Sequence, residues 1–136
     1  MNILDTSALD HMVKRKVLPG GFCCISPDVL DEYESWHDQK LPKNVHNVCD
    51  LDGFDEALYL RNYRLMLNKF RGRSFYNMTG FGDISILALI ATQKELEKAR
   101  LPLDELVVVT SDGSLGKKIE KEFGGTIRLL TPGNFF

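Results

Sequence analysis

Long apolar runs are missing from this chain: none approaches the roughly 20 residues that span a bilayer, so no transmembrane helix is expected. The start lacks the basic n-region and apolar h-region of a secretory signal. Cysteine is scarce, three in 136 residues, with Cys23 and Cys24 adjacent and Cys49 alone. Without a CxxC pair or an even count, neither a disulfide framework nor a zinc site is expected. Reduced thiols in a cytoplasmic protein are the expectation instead. A large excess of either charge is also missing: a net charge of -2 gives no global attraction to nucleic acid. His11, His37 and His46 share no spacing that suggests ligation or a catalytic triad, and are expected at the surface or in loops.

What is present is ordinary globular composition, 43% hydrophobic and 26% charged. There is no internal repeat, low-complexity tract or linker, so residues 1–136 are read as one domain. A chain of this size buries roughly two-thirds of its unfolded surface. Charge is sorted along it. From Ala57 to Gly82 no acidic residue occurs, yet Arg61, Arg64, Lys69, Arg71 and Arg73 all fall there.

The pattern alternates strands and helices. Residues 2–5 read as a buried strand running straight into a helix that ends near Arg15. Pro19-Gly20-Gly21 is a turn, and Phe22 to Ser26 a second strand. Ser26 as N-cap with Pro27 at the first helical position starts a helix reaching about His37. Residues 39–53 read as a loop and 54–70 as a helix. In that helix Tyr59, Leu60, Tyr63, Met66, Leu67 and Phe70 share one side, and Arg61, Asn62, Arg64, Asn68 and Lys69 the other. Residues 71–82 read as a loop and 83–98 as a helix. Leu106 to Thr110 is a β-branched strand of the kind a parallel sheet buries on both faces. A helix from Ser111 to Phe123, closed by Gly124-Gly125, leads to a last strand, Thr126 to Leu130. Short connections between such elements imply a three-layer α/β/α domain with a parallel central sheet.

Ligands of open parallel sheets bind outside the carboxyl ends of the strands, where Asp5 and Asp112 both fall. Each also suits a helix N-cap. Two further acids lack that simple explanation. Val29, Glu32, Tyr33 and Trp36 share one helical face, while Asp31 points away, so Glu32 lies on an apolar stripe. Asp83 is on the stripe of Leu87 and Ile90. An acid on such a face is costly unless paired or metal-bound. Four convergent carboxylates would repel by about 4 kcal/mol per close pair at an effective dielectric near 20, so a divalent cation is the expected counterweight. All-oxygen ligands suit Mg²⁺ or Mn²⁺ better than zinc. Trp36 and the phenylalanines are expected in the core.

With these residues in hand, the chain resembles the PIN-domain ribonucleases, most closely the small prokaryotic VapC-type group. Ile3-Leu-Asp-Thr-Ser-Ala-Leu9 looks like the family's opening strand and first acid, and Ile25-Ser-Pro-Asp-Val-Leu-Asp-Glu32 like the segment bearing the second. Gly82-Asp-Ile-Ser-Ile-Leu-Ala-Leu-Ile90 is similar to the third-acid helix, Val108-Val-Thr-Ser-Asp112 to the fourth-acid strand end, and Thr131-Pro-Gly-Asn-Phe135 to the terminal segment. One departure is Ser114, where many relatives carry a further Asp, which would reduce the charge of any second metal site.

The resemblance implies endonucleolytic cleavage of RNA dependent on Mg²⁺ or Mn²⁺. Asp5, Asp83 and Asp112 would hold the ion, and Glu32 would ligate it or position the attacking water. Thr6, Ser111 and Ser114 would support these ligands. Arg61, Arg64, Lys69, Arg71 and Arg73 are expected to track the RNA backbone, and Phe75 or Tyr76 to stack on an unpaired base. The family further implies a toxin held by an antitoxin protein, and a homodimer. Two alternatives compete. A catalytically weak PIN-like module could bind RNA or act as a scaffold, although gathering acids beside a phosphate track gains such a module nothing. A phosphatase or receiver-like domain with Asp5 as nucleophile is disfavoured, because the phosphatase pattern wants a second Asp where this chain has Ser7.

Overall fold

The computed structural model describes residues 2–18, 23–43, 56–70, 82–98 and 105–136. Within them the order is β1 (Asn2–Leu4), α1 (Thr6–Arg15), β2 (Cys23–Cys24), α2 (Pro27–His37), α3 (Glu56–Lys69), α4 (Gly82–Lys98), β3 (Val107–Val109), α5 (Gly113–Phe123), a 3-10 turn (Gly124–Thr126), β4 (Arg128–Leu130) and α6 (Pro132–Phe135). The four strands form one all-parallel sheet in the order β2-β1-β3-β4. Helices connect and cover it, giving the three-layer α/β/α architecture that the alternating pattern implies. The strands are short but deeply set: Ile3, Leu4, Val108 and Val109 are wholly buried. Among the described residues no helix is long and apolar enough to cross a membrane.

Strand order matters more than strand length. From β1 the chain steps to β2 on one side, then crosses back to place β3 on the other. The strand order therefore reverses between β1 and β3, the point at which parallel sheets open a crevice at their carboxyl ends. Asp5 N–H donates to Val109 O at 3.2 Å, and Thr110 N–H to Leu130 O at 2.9 Å, carrying the ladder past the strand ends. Asp5 and Thr110 are thus held by the sheet itself.

Capping residues set the helix starts. Ser26 accepts from Val29 N–H at 3.1 Å with Pro27 behind it, and Asp112 accepts from Ser114 and Leu115 N–H. The latter moves the start of α5 to Gly113, past the Ser111 expected from sequence. Residues 126–127 belong to the turn before β4, not to the strand. Two side-chain expectations are corrected in α3. Leu60 is 49% exposed, whereas Asn62 is buried and donates to Thr92 Oγ1 on α4 at 3.1 Å. The hydroxyl of Thr92 makes an amide the better buried neighbour there.

The thiols of Cys23 and Cys24 are buried on β2, and burial pushes the Cys23 pKa up to about 11 against a hydrogen bond with Asn2. His37 pairs with Asp10 at 3.2 Å and His11 stacks on Phe136, so these two histidines are engaged away from the acids. Cys49, His46, Arg71, Arg73, Phe75, Tyr76 and the turn at Pro19-Gly21 lie outside the described residues.

Candidate functional site

Asp5 is the best-fixed member of the site. Its Oδ1 accepts from Ser7 Oγ at 2.6 Å and from Ala8 N–H at 2.9 Å, the latter capping α1. Its Oδ2 accepts from the Thr110 hydroxyl. Thr110 in turn accepts from Asp112 N–H at 2.9 Å, and Ser7 accepts from Ser111 N–H at 3.0 Å. Two hydroxyls therefore bridge the ends of β1 and β3. Burial raises the Asp5 pKa, and the three donors and the neighbouring Asp112 charge act, respectively, against and with that shift.

Glu32 and Asp83 arrive from helices. Glu32 follows the wholly buried Val29 by one turn of α2, and the Thr6 hydroxyl bonds to its carboxylate. Burial, then Asp83, Asp5 and Asp28, lift its pKa to about 7 despite that bond. Asp83 opens α4, a helix whose segment Ile84 to Ile90 is buried all round. The single apolar stripe expected there is therefore a fully enclosed helix end. Burial and Asp112 raise Asp83 to about 6, partly opposed by Lys118. Among the described residues, Asp83 Oδ2 is the one buried side-chain polar atom without a hydrogen-bond partner. An orphaned carboxylate oxygen marks a place for a ligand, water or ion.

Asp5, Glu32, Asp83 and Asp112 all line one cavity of about 150 Å³, together with Thr6, Ser7, Val29, Trp36, Gly82 and Ile86. The structure therefore brings the four acids together at one cavity. Among the described residues, however, no three of them close into a ready-made metal cage. Asp112 Oδ1 is taken up by the α5 cap and Asp5 Oδ1 by two donors, while Asp5 Oδ2 keeps one lone pair beside the Thr110 hydroxyl, Glu32 keeps those not used by Thr6, and Asp83 Oδ2 has no partner. An all-oxygen donor set with one orphaned oxygen and three raised carboxyl pKa values fits a hard divalent cation.

The supporting residues divide. Thr6 reaches Glu32, whereas Ser111 and Ser114 contribute through backbone N–H groups, and neither lines the cavity. Of the described part of the basic track, Arg61 pairs with Glu95 at 2.6 Å, Lys69 with Glu122, and Arg64 is exposed, and none of the three lines the acid cavity. Trp36, expected in the core, is instead 55% exposed at the cavity wall.

Three contributors escaped the sequence reading. Thr110 and Ser7 tie Asp5 down, and both were visible as hydroxyls flanking strand-end acids. Gly82 is the third: a Cβ there would stand 2.5 Å from Glu32 Oε2, so the absent side chain makes room for the carboxylate. Behind it, Ser26 and Ser85 share a 2.5 Å hydrogen bond and Ser85 donates to Gly82 O at 2.7 Å, pinning the starts of α2 and α4 together. No protein-family model, curated protein or solved structure matches the chain.

Proposed function

We propose that this protein is a metal-dependent endoribonuclease of the PIN-domain, VapC-like type, hydrolysing RNA phosphodiester bonds. The observation that supports it best is the convergence of four carboxylates on one cavity at the point where the strand order reverses. Asp5, Asp83 and Asp112 would hold Mg²⁺ or Mn²⁺. The bound ion would lower the pKa of an attacking water and offset charge building on the phosphoryl oxygens.

The chain's own residues do the remainder. Ser7, Ala8 N–H and Thr110 fix the Asp5 carboxylate so that its free lone pair has one direction. Glu32, which lines the cavity beside the other acids and is held by the Thr6 hydroxyl, is placed to take a proton from water. Water attack forms a new P–O bond and breaks the bond to O3′, which takes up a proton. The products carry a 3′-hydroxyl and a 5′-phosphate.

Arg64, Arg71 and Arg73 are the proposed backbone contacts, since Arg61 and Lys69 are held in ion pairs. The buried thiols of Cys23 and Cys24 suit a cytoplasmic setting. By resemblance, an antitoxin protein and a second copy of the chain are proposed partners, to be read from the mass of the natively purified particle.

The test is cleavage of an end-labelled, partly single-stranded RNA pool with Mn²⁺, with EDTA, and with Asp5→Asn. Cutting that needs the metal and vanishes in the variant is expected. Cutting that survives both EDTA and Asp5→Asn would overturn the metal-dependent acid site, and RNA binding without any cutting would overturn the nuclease in favour of a binding module.

A further inference from the structure

Trp36 is an aromatic residue out of place. Val29 and Tyr33, on the same stripe of α2, are 1% exposed, yet Trp36 is 55% exposed. Leaving so large an apolar ring in water forgoes the stabilisation that burial would bring. Its position supplies a reason. Trp36 follows Glu32 by four residues, which places neighbouring side chains roughly 5–6 Å apart on a helix, and it lines the same cavity as the four acids. The other large exposed hydrophobic residues described are Leu18, Leu60 and Leu65, none of which lines that cavity.

The cavity also restricts how a nucleotide can sit. At about 150 Å³ it is smaller than the roughly 300–1,000 Å³ of pockets that engulf small molecules. A phosphate group fits among the acids, but the base attached to it must lie outside, against the wall. Electrostatics adds a second constraint. Carboxylates repel a polyanion, and Arg61 and Lys69 are paired with Glu95 and Glu122 rather than turned to this edge. Beside the arginines proposed for the backbone, an uncharged contact next to the acids would add affinity that this repulsion does not oppose. Base stacking on an aromatic ring is such a contact, and it tolerates any sequence.

We propose that Trp36 is a stacking platform for an unpaired base of single-stranded RNA, adjacent to the phosphate held at the acid cavity. This rests on the nuclease reading above. The platform acts on substrate binding and places the strand across the cavity mouth; it takes no part in proton transfer.

Trp36 is the chain's sole tryptophan, so its fluorescence reports on the contact directly. The probe is a ten-nucleotide single-stranded RNA added, with Mn²⁺, to protein carrying Glu32→Gln to suppress turnover. Saturable quenching of the emission is expected, with the same midpoint as fluorescence anisotropy of labelled RNA. Trp36→Leu should raise Kd and KM by about tenfold or more and leave kcat nearly unchanged, while Trp36→Phe restores most of the loss. An RNA abasic at every position should bind wild type and Trp36→Leu alike. Because the ring is largely exposed, both variants should melt with wild type, which separates binding from folding. Unquenched emission on bound RNA, or a Trp36→Leu enzyme with wild-type KM, would overturn the platform and leave the nuclease standing. A wild-type protein that neither binds nor cuts RNA would overturn both.

Discussion

The two sides of the acid cavity are built differently. On the sheet side, Asp5 and Asp112 sit past the ends of β1 and β3, cap α1 and α5, and are cross-tied through Ser7 and Thr110. On the helix side, Glu32 and Asp83 are raised to about 7 and about 6, and Asp83 Oδ2 has no partner among the described residues. The sheet-side acids satisfy helix N–H groups whatever the cavity holds, although burial still raises the Asp5 pKa against its three donors. Burial raises both helix-side acids with less to offset it, the Thr6 hydroxyl at Glu32 and the Lys118 charge at Asp83, so a bound cation would return free energy there. A purely structural set of carboxylates has no need of the second pair, and that contrast is the strongest physical argument for a cation site.

The largest expected effect that sharpens this contrast is on turnover. Glu32→Gln keeps the shape of the helix-side carboxylate and removes its basicity, so kcat should fall about 10²–10⁴-fold. Single-turnover kinetics would show the loss in the cleavage step, with RNA affinity retained. A variant with near-wild-type kcat would deny Glu32 a part in proton transfer.

Gly82→Ala comes next. The added methyl would stand 2.5 Å from Glu32 Oε2, so the carboxylate must move, and a displacement near 1 Å costs about 10²-fold in rate. Activity should fall by that order while the far-ultraviolet spectrum is unchanged. Full activity would mean that the position of Glu32 is not critical.

Stability separates the two sides by sign. Asp112→Ala removes the α5 cap and should cost about 1 kcal/mol. Asp83→Asn, in EDTA at pH 8, should instead raise the melting temperature, since it deletes a buried charge that burial and Asp112 disfavour. Each kcal/mol corresponds to roughly 4 °C in a chain of this size. The wild-type protein without metal should show the same cause through pH. Glu32 and Asp83 bind protons more tightly when folded, so they favour the fold below their ordinary values of 4.5 and 3.8. That benefit is lost as pH rises through about 6 and about 7. Melting in EDTA should therefore fall between pH 5 and pH 8, and the slope should flatten in the Glu32→Gln, Asp83→Asn double variant. A flat profile in the wild type would remove the distinction between the sides.

Local rules made the acids legible. Asp5 follows a strand of Ile3 and Leu4 that must be buried, and the helical wheel separates Glu32 from Asp31 because one faces Val29 and Tyr33. The same wheel misplaced Trp36, since it reports which face turns inward but not where that face runs out at a cavity mouth. Leu60 and Asn62 were misplaced for a related reason: the burial of Asn62 depends on Thr92, thirty residues away. The basic helix looked like a free cationic face because Glu95 and Glu122 are remote in sequence from Arg61 and Lys69. Gly82 could be read as a helix neighbour, but its function as clearance for Glu32 needs the packing of α4 against α2.

The central claim, that the four acids form one cation site, is tested most directly by melting the metal-free protein with increasing Mn²⁺ or Mg²⁺, beside Asp83→Asn. The account predicts a rise in wild type that grows with the logarithm of metal concentration, reaching about 2.7 kcal/mol at a hundred times Kd, and little or none in the variant. A wild-type melt unmoved by millimolar metal, or an equal rise in Asp83→Asn, would contradict it.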